Sequence, residues 1–247
     1  MEVGHSVRRT AARLLLAWVA LCVLVIGLGW LLTGPLAGSV GRWDADAARS
    51  IAGLRSSGLD GTAEIGTLVA DTVIGLPLGA VMAGLLAWWR RSWLPAVFWV
   101  VVAAGIQGIY LTTVLVISRD RPPVKILDPG LVPDHSFPSG HVATAMSTYA
   151  GIAVLAWWLA RSARPWVALL FVVPPVVAAS RLYEGAHHPT DVLTTLIAGA
   201  VWLALVSALV LGRAEPPRRE QGSGRVSRWS ARPPAGTSRR RGAPAPG

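Results

Sequence analysis

Six long apolar stretches, separated by shorter polar ones, dominate the pattern of hydrophobic and polar positions along the 247 residues. They run over residues 14–32, 72–89, 94–117, 142–159, 166–179 and 192–211. All but the fifth are long enough for an α-helix to cross the hydrocarbon core of a bilayer. The pattern predicts an all-α, polytopic membrane protein with six transmembrane helices around a helical-bundle core.

The first and fifth stretches need further argument. Three arginines precede the first, which is too long for the apolar part of a cleaved signal, so we expect a retained helix. The fifth contains Pro174 and Pro175, which predict a kink, and we expect it to draw extra length from residues 181–183.

Residues 33–71 are mixed in character and leave two interpretations open. Apolar positions 43, 47, 51 and 54 recur at helical spacing, opposite the charged positions 44, 46, 49 and 55. This spacing is typical of an amphipathic helix lying on the membrane surface. The alternative is a partly ordered loop.

Composition supports the membrane assignment and divides the chain. Hydrophobic residues make up 53%, charged residues only 15%, and mean hydropathy is +0.50. We expect a cytoplasmic N-terminal segment (1–13), a membrane domain (14–212) and a disordered basic tail (213–247). The net charge of +10 lies mainly in flanks and tail, so no nucleic-acid partner is predicted. Cys22, the single cysteine, is expected to pack in a helix.

The basic residues predict an orientation. With six spans both termini lie on one side, and sixteen of the 23 lysines and arginines fall on that side. The positive-inside rule therefore predicts cytoplasmic termini in the cell membrane. It also places three polar clusters together at the extracytoplasmic face: 119–122, 137–141 and 180–191.

These clusters suit phosphoryl transfer. Residues 137–141 form a proline-broken entry to the fourth span, where free backbone N–H groups favour an anion. His187 and Asp191 are four residues apart, so the carboxylate can accept the imidazole N–H and leave the other nitrogen to attack phosphorus. Arg121 and Arg181 can each bind a phosphoryl group, and His141 can protonate the leaving oxygen.

The same residues resemble the motifs of the type 2 phosphatidic acid phosphatase superfamily. Its pattern is a lysine, six residues and Arg-Pro, then Pro-Ser-Gly-His, then Ser-Arg, five residues, His, three residues and Asp. The resemblance implies His187 as nucleophile, Asp191 as its orienting partner and His141 as general acid. It further implies catalysis without metal or cofactor, with phosphate bound by the following four residues: Arg121, Ser139, Gly140 and Arg181.

One position departs from the pattern. The first-motif lysine falls at residue 114, which is valine here. Arg119 or Lys125 could replace it, and Lys125 is the better candidate because a flexible ammonium can reach inward as a point charge. Arg119 is interpreted first as a substrate-side or loop-bracing charge. His188 is expected to fill the site wall, and His135 to be a loop residue.

The function predicted is hydrolysis of a lipid phosphate or diphosphate at the outer face. Undecaprenyl diphosphate, phosphatidic acid and phosphatidylglycerophosphate remain possible substrates, and the oligomeric state is open. Two alternatives are a lipid phosphotransferase that uses the same site and a non-catalytic phospholipid-binding membrane protein.

Overall fold

A computed structural model describes residues 2–160, 162 and 164–212. The described residues are helical apart from turns, loops and one isolated bridge between Arg119 and His135. The α-helices, in chain order, are α1 Glu2–Thr33, α2 Val40–Ala52, α3 Ser57–Leu68, α4 Thr72–Arg90, α5 Leu94–Val114, α6 Gly140–Ala145, α7 Gly151–Leu159, α8 Arg164–Ala168, α9 Val173–Tyr183 and α10 Pro189–Val206. The predicted disorder of the tail concerns residues outside the described part.

Within the described residues, six helical segments are long and apolar enough to cross a membrane, as predicted. They cover Gly4–Thr33, Thr72–Arg90, Leu94–Val114, Gly140–Leu159, Arg164–Tyr183 and Pro189–Leu211. Trp88, Trp93 and Trp166 are exposed at or next to the ends of these segments, where tryptophan commonly anchors a helix at the membrane interface.

Several predicted boundaries differ from the structure, and the sixth span begins three residues early, at Pro189. The first helix begins at Glu2, because residues before Leu14 continue it. The third span ends at Val114 instead of Ile117, since the chain turns there into the polar loop. The fourth begins two residues early, at Gly140, and contains a π-helical turn over Met146–Ala150.

The fifth span is broken where its prolines predict. A 3₁₀ turn over Leu169–Val172 joins α8 to α9, and Pro174 lies in the first turn of α9, where a missing N–H costs little. Helix α9 continues to Tyr183, which confirms that the span draws length from residues 181–183.

Residues 40–52 form a helix, which supports the helical interpretation of this region over the loop. Its predicted polar face is correct at Asp46 and Arg49, which are exposed. It is wrong at Asp44, which the pattern assigns to the solvent side and which is fully buried. Asp44 is buried because it pairs with Arg119 from a distant loop, a partner that helical periodicity cannot reveal.

Small residues let the helices pack closely. A Cβ on Gly105 would lie 2.1 Å from the Trp202 ring, and one on Gly66 would lie 2.1 Å from Ser180 Oγ. Close approach at small residues is the usual way for membrane helices to associate. The Gly66 contact seats α3 against α9, directly before Arg181. Cys22 is buried, as predicted.

Candidate active site

The loop over residues 115–139 brings the predicted site together. It pairs with itself through Arg119 N–H to Asp134 O (2.8 Å) and Ser136 N–H to the Arg119 carbonyl (3.0 Å). Leu127 N–H donates to the Glu184 carbonyl at 3.0 Å, which ties the loop to the end of α9. Since α6 packs against both α9 and α10, the three predicted clusters meet at one end of the bundle.

A tight turn after α9 places His187 relative to Arg181. Gly185 has φ +72°, a conformation that residues with a Cβ rarely adopt. Ala186 N–H donates to the Arg181 carbonyl at 3.0 Å. A Cβ at residue 185 would also lie 2.6 Å from Val124, so glycine is needed for both backbone and space.

The His187 ring is oriented by a backbone carbonyl. Its Nδ1 lies 2.6 Å from the Ser136 carbonyl oxygen but 3.8 Å from Asp191 Oδ2. The predicted direct hydrogen bond from imidazole to Asp191 is therefore absent, since 3.8 Å is too long. Asp191 contributes indirectly. Its Oδ2 accepts a hydrogen bond from Ser136 Oγ at 2.6 Å and so fixes the residue whose carbonyl orients the His187 ring.

This contact decides the tautomer of His187. A carbonyl oxygen can only accept, so Nδ1 carries the proton and Nε2 carries the free electron pair. Burial lowers the pKa of His187, opposed by Asp191 and assisted by Arg181 and Arg121. The ring is therefore held neutral, with Nε2 available as a nucleophile.

Arg181 is fully buried and held on one side. Its Nη1 donates to Glu184 Oε2 at 2.7 Å and to Thr67 Oγ1 at 3.1 Å, and Nη2 lies 2.9 Å from Asp128 Oδ2. Nε is buried and has no hydrogen-bond partner among the described residues, and Nη2 is ion-paired with Asp128 without an aligned hydrogen bond. A buried cation whose N–H groups are not all used by the protein is suited to an anionic ligand.

Arg121 differs from Arg181, because its guanidinium donates hydrogen bonds to three backbone carbonyls. Nε donates to Val132 at 2.8 Å, Nη1 to Ala186 at 2.6 Å and Nη2 to His135 at 3.1 Å. Burial, followed by the positive charge of Arg181, lowers the pKa of Arg121. Two guanidinium groups that repel each other favour an anion between them.

The start of α6 contributes further polar groups. Ser139 is buried and its Oγ has no hydrogen-bond partner in the described chain, while its N–H donates to Thr195 Oγ1 at 2.9 Å. Gly140 is the first residue of the helix. His141 is half-buried and lies within electrostatic range of Arg181 and His187. The structure thus brings all three residues to the predicted site, while their roles stay predictions.

Arg119 is bound by two carboxylates. Its Nη2 lies 2.6 Å from Asp44 Oδ2, and its Nη1 donates to Asp191 Oδ1. Thr190 joins them through its N–H to Asp44 Oδ1 (3.1 Å) and its hydroxyl to Asp44 Oδ2 (2.5 Å). Arg119 is paired with a carboxylate on each side and braces the loop, which favours the loop-bracing interpretation over a substrate-side charge. This geometry does not support its tentative role in phosphate binding.

Three further candidate residues lie at the edge of the site or in its wall. Lys125 is exposed, and within the described residues its ammonium has no partner. His135 is exposed on the loop as predicted. His188 is buried and caps α10, and its backbone N–H donates to Asp191 at 2.8 Å. Burial lowers the pKa of His188, which fits a neutral residue in the wall of the site.

Sequence reasoning missed several supporting residues. Glu184, three residues after Arg181, could have been found from helical spacing. Burial raises the pKa of Glu184. Asp44 and Ser136 carried no such signal, because their partners are distant in sequence or reached through a backbone atom.

Comparisons with known proteins agree with this architecture. Residues 93–215 match the model of the PAP2 superfamily, a range that contains all three motifs. The Escherichia coli (strain K12) protein named "Putative undecaprenyl-diphosphatase YbjG" is 31% identical over 152 residues, which cover 60% of this chain and 71% of that protein.

A solved structure shares the fold. The crystal structure described as the first transmembrane PAP2 type phosphatidylglycerolphosphate phosphatase from Bacillus subtilis aligns with a TM-score of 0.68 and 21% identity. The alignment covers 80% of this chain and 98% of that one. The chain belongs to the PAP2 superfamily, which confirms the resemblance seen in its motifs. It is a multi-pass membrane phosphatase of the type 2 phosphatidic acid phosphatase kind.

Proposed function

We propose that this protein hydrolyses a lipid phosphate or diphosphate at the extracytoplasmic face through a phosphohistidine intermediate. The observation that carries the proposal is the 2.6 Å contact from His187 Nδ1 to the Ser136 carbonyl. It assigns the proton to Nδ1 and the electron pair to Nε2, as an attacking imidazole requires.

The chemistry then has two displacements. In the first, Nε2 of His187 forms a bond to phosphorus, the bond from phosphorus to the lipid oxygen breaks, and His141 gives a proton to that oxygen. In the second, water attacks phosphorus, His141 takes one of its protons, and the bond from Nε2 to phosphorus breaks to release phosphate. His141 therefore returns to its starting state after each turnover.

Charge at the site favours a phosphoryl group. Arg181 has two buried nitrogens without hydrogen bonds, Ser139 Oγ is buried and unpaired in the described chain, and Arg121 adds a second guanidinium. Donors fixed before the substrate arrives stabilise the charge that develops on the phosphoryl oxygens without further reorganisation.

A lipid substrate is supported by the membrane-spanning fold and by the names of the two relatives, one for an undecaprenyl diphosphatase and one for a phosphatidylglycerophosphate phosphatase. The test is phosphate release by purified protein from a panel that contains undecaprenyl diphosphate, phosphatidylglycerophosphate and phosphatidic acid. Activity should persist in EDTA, because we expect no metal to take part.

His187→Ala should abolish phosphate release, since it removes the nucleophile. His135→Ala is the matched control, because it removes an exposed histidine from the loop over residues 115–139. Wild-type protein that releases no phosphate from any lipid would refute the proposed activity. Full turnover by His187→Ala would refute the phosphohistidine step.

The orientation can be tested by labelling. With Cys22 replaced by serine, single cysteines are introduced at Pro129, in the loop beside the site, or at Ser92, between α4 and α5. Both positions are exposed. A membrane-impermeant maleimide should label intact cells at residue 129 and not at residue 92. The reverse pattern would place the site on the cytoplasmic side.

A further inference from the structure

The phosphate site departs from its family pattern at Val114, the last residue of α5, which stands where a lysine is expected. Neither predicted replacement is well placed in the structure. Arg119 is neutralised by Asp44 and Asp191, and Lys125 is exposed without a partner among the described residues. A donor for the phosphoryl group must be sought elsewhere on the same side of the site.

Tyr110 lies one helical turn before Val114, so the two side chains share a face of α5. The Tyr110 ring packs directly on the backbone of Gly140. A Cβ built on Gly140 would lie 3.0 Å from Tyr110 Cζ and 3.2 Å from its hydroxyl oxygen. The hydroxyl is thus at the first residue of α6, between Ser139 and His141 in sequence.

The Tyr110 hydroxyl is unused. Within the described residues it has no hydrogen-bond partner, although the side chain is half-buried. The chain's other two tyrosines do have partners: Tyr149 donates to the Val69 carbonyl at 2.7 Å and Tyr183 to Asp60 at 2.7 Å. Tyr110 also lies within electrostatic range of Arg121, one of the two arginines of the site. An unpaired donor at the start of α6, where the buried Ser139 hydroxyl also has no partner in the described chain, points to an anionic ligand.

We propose that the Tyr110 hydroxyl donates a hydrogen bond to a phosphoryl oxygen and replaces the lysine missing at residue 114. This inference rests on the proposed function. A phenol supplies a directed donor but no positive charge, so the site binds the phosphoryl group with one cation fewer. Glycine at residue 140 leaves room for the ring, because a Cβ there would lie 3.0 Å from Tyr110 Cζ and would push the ring aside by a few tenths of an ångström.

The test compares Tyr110→Phe with the wild type in vanadate inhibition and in kcat/KM for the best lipid substrate. Phenylalanine keeps the ring against Gly140 and removes only the hydroxyl. We expect vanadate affinity and kcat/KM each to fall by about tenfold or more. Tyr183→Phe is the matched control, since its hydroxyl bonds to Asp60 and to Ser56, outside the site, and it should stay within about twofold of the wild type.

A second variant identifies the role as phosphate binding. Val114→Lys added to Tyr110→Phe should recover at least part of the lost vanadate affinity, because it restores a donor from the same helix face. A silent Tyr110→Phe would overturn the inference. So would a loss of turnover with unchanged vanadate affinity, because the hydroxyl would then serve folding or packing.

Vanadate binding separates a failure of the Tyr110 inference from a failure of the proposed lipid phosphatase activity. Vanadate binding can be followed as a shift in thermal stability of the detergent-solubilised protein, which needs no turnover. If the wild type binds vanadate but hydrolyses no lipid phosphate, the proposed activity fails, and the loss of binding in Tyr110→Phe still tests Tyr110. If Tyr110→Phe binds vanadate like the wild type, the Tyr110 inference fails whatever the activity.

Discussion

The site contains two buried arginines that look alike in sequence and differ in use. Arg119 is 7% exposed and Arg181 is 0% exposed, and each lies beside two carboxylates. The partners of Arg119, Asp44 and Asp191, both accept hydrogen bonds from it. Around Arg181 only Glu184 does so, and two nitrogens remain without hydrogen bonds in the described chain.

This difference suggests separate roles: Arg119 positions other residues of the site, and Arg181 binds the ligand. A buried cation needs compensation, and each arginine receives it from two carboxylates. Arg119 donates a hydrogen bond to both of its carboxylates, so it fixes Asp191 and the loop. Arg181 is held firmly enough to be preorganised yet keeps donors for a ligand. The two arginines cannot be told apart by their burial or by the number of carboxylates beside them.

Arg181→Gln should have the largest effect. Glutamine retains part of the shape but loses the charge and the spare donors, so kcat/KM should fall by roughly a thousandfold or more. Vanadate inhibition should be lost as well. Arg119→Gln is the counterpart, and it should destabilise the protein while leaving vanadate affinity the less affected. Equal losses of vanadate affinity in the two variants would erase the distinction.

Asp191→Asn should have the second-largest effect and should change the pH dependence of kcat/KM. Neutral His187 is the active form, so kcat/KM falls as pH drops through its pKa. Burial, Arg181 and Arg121 lower that pKa, which puts the acidic limb below about pH 6.5. Asp191 opposes this shift, so Asp191→Asn should move the limb to still lower pH and reduce the plateau by roughly a hundredfold. A limb that moves upward would contradict the assigned electrostatics.

Asp44→Asn tests the role of Arg119 with a smaller change than Arg119→Gln, because the guanidinium itself is kept. It keeps the shape and removes one of the two charges that compensate Arg119, so stability should fall by about 2 kcal/mol and kcat by about tenfold, through poorer placement of Asp191. The midpoint of thermal inactivation in detergent and the vanadate inhibition constant are measured together. A variant that loses vanadate binding but keeps its thermal midpoint would show that Asp44 serves binding.

Glu184→Gln should have the smallest effect. Burial raises the pKa of Glu184, so its charged form is less favoured than in water, and glutamine can still accept from Arg181 and Thr67. We expect kcat/KM within about threefold of the wild type, whereas Glu184→Ala, which leaves Arg181 unsupported, should cost more. If glutamine proves as harmful as alanine, the charge of Glu184 holds Arg181.

The sequence alone determined the membrane fold and most of the site. Apolar run lengths gave six spans, since the thickness of the bilayer sets a length that few other structures need. Motif spacing brought His141, His187 and Asp191 into one hypothesis, because residues at helix ends near one membrane face can meet. Prolines 174 and 175 even marked the break in the fifth span.

Only the tertiary structure decided which group touches which. Asp44 is fully buried although its helix pattern predicted exposure, because its partner Arg119 is 75 residues away. The Ser136 carbonyl, and not Asp191, orients His187, since every residue has a carbonyl and sequence cannot show where it points. Tyr110 came to the site for the same reason: its contact with Gly140 exists only where α5 and α6 pack together.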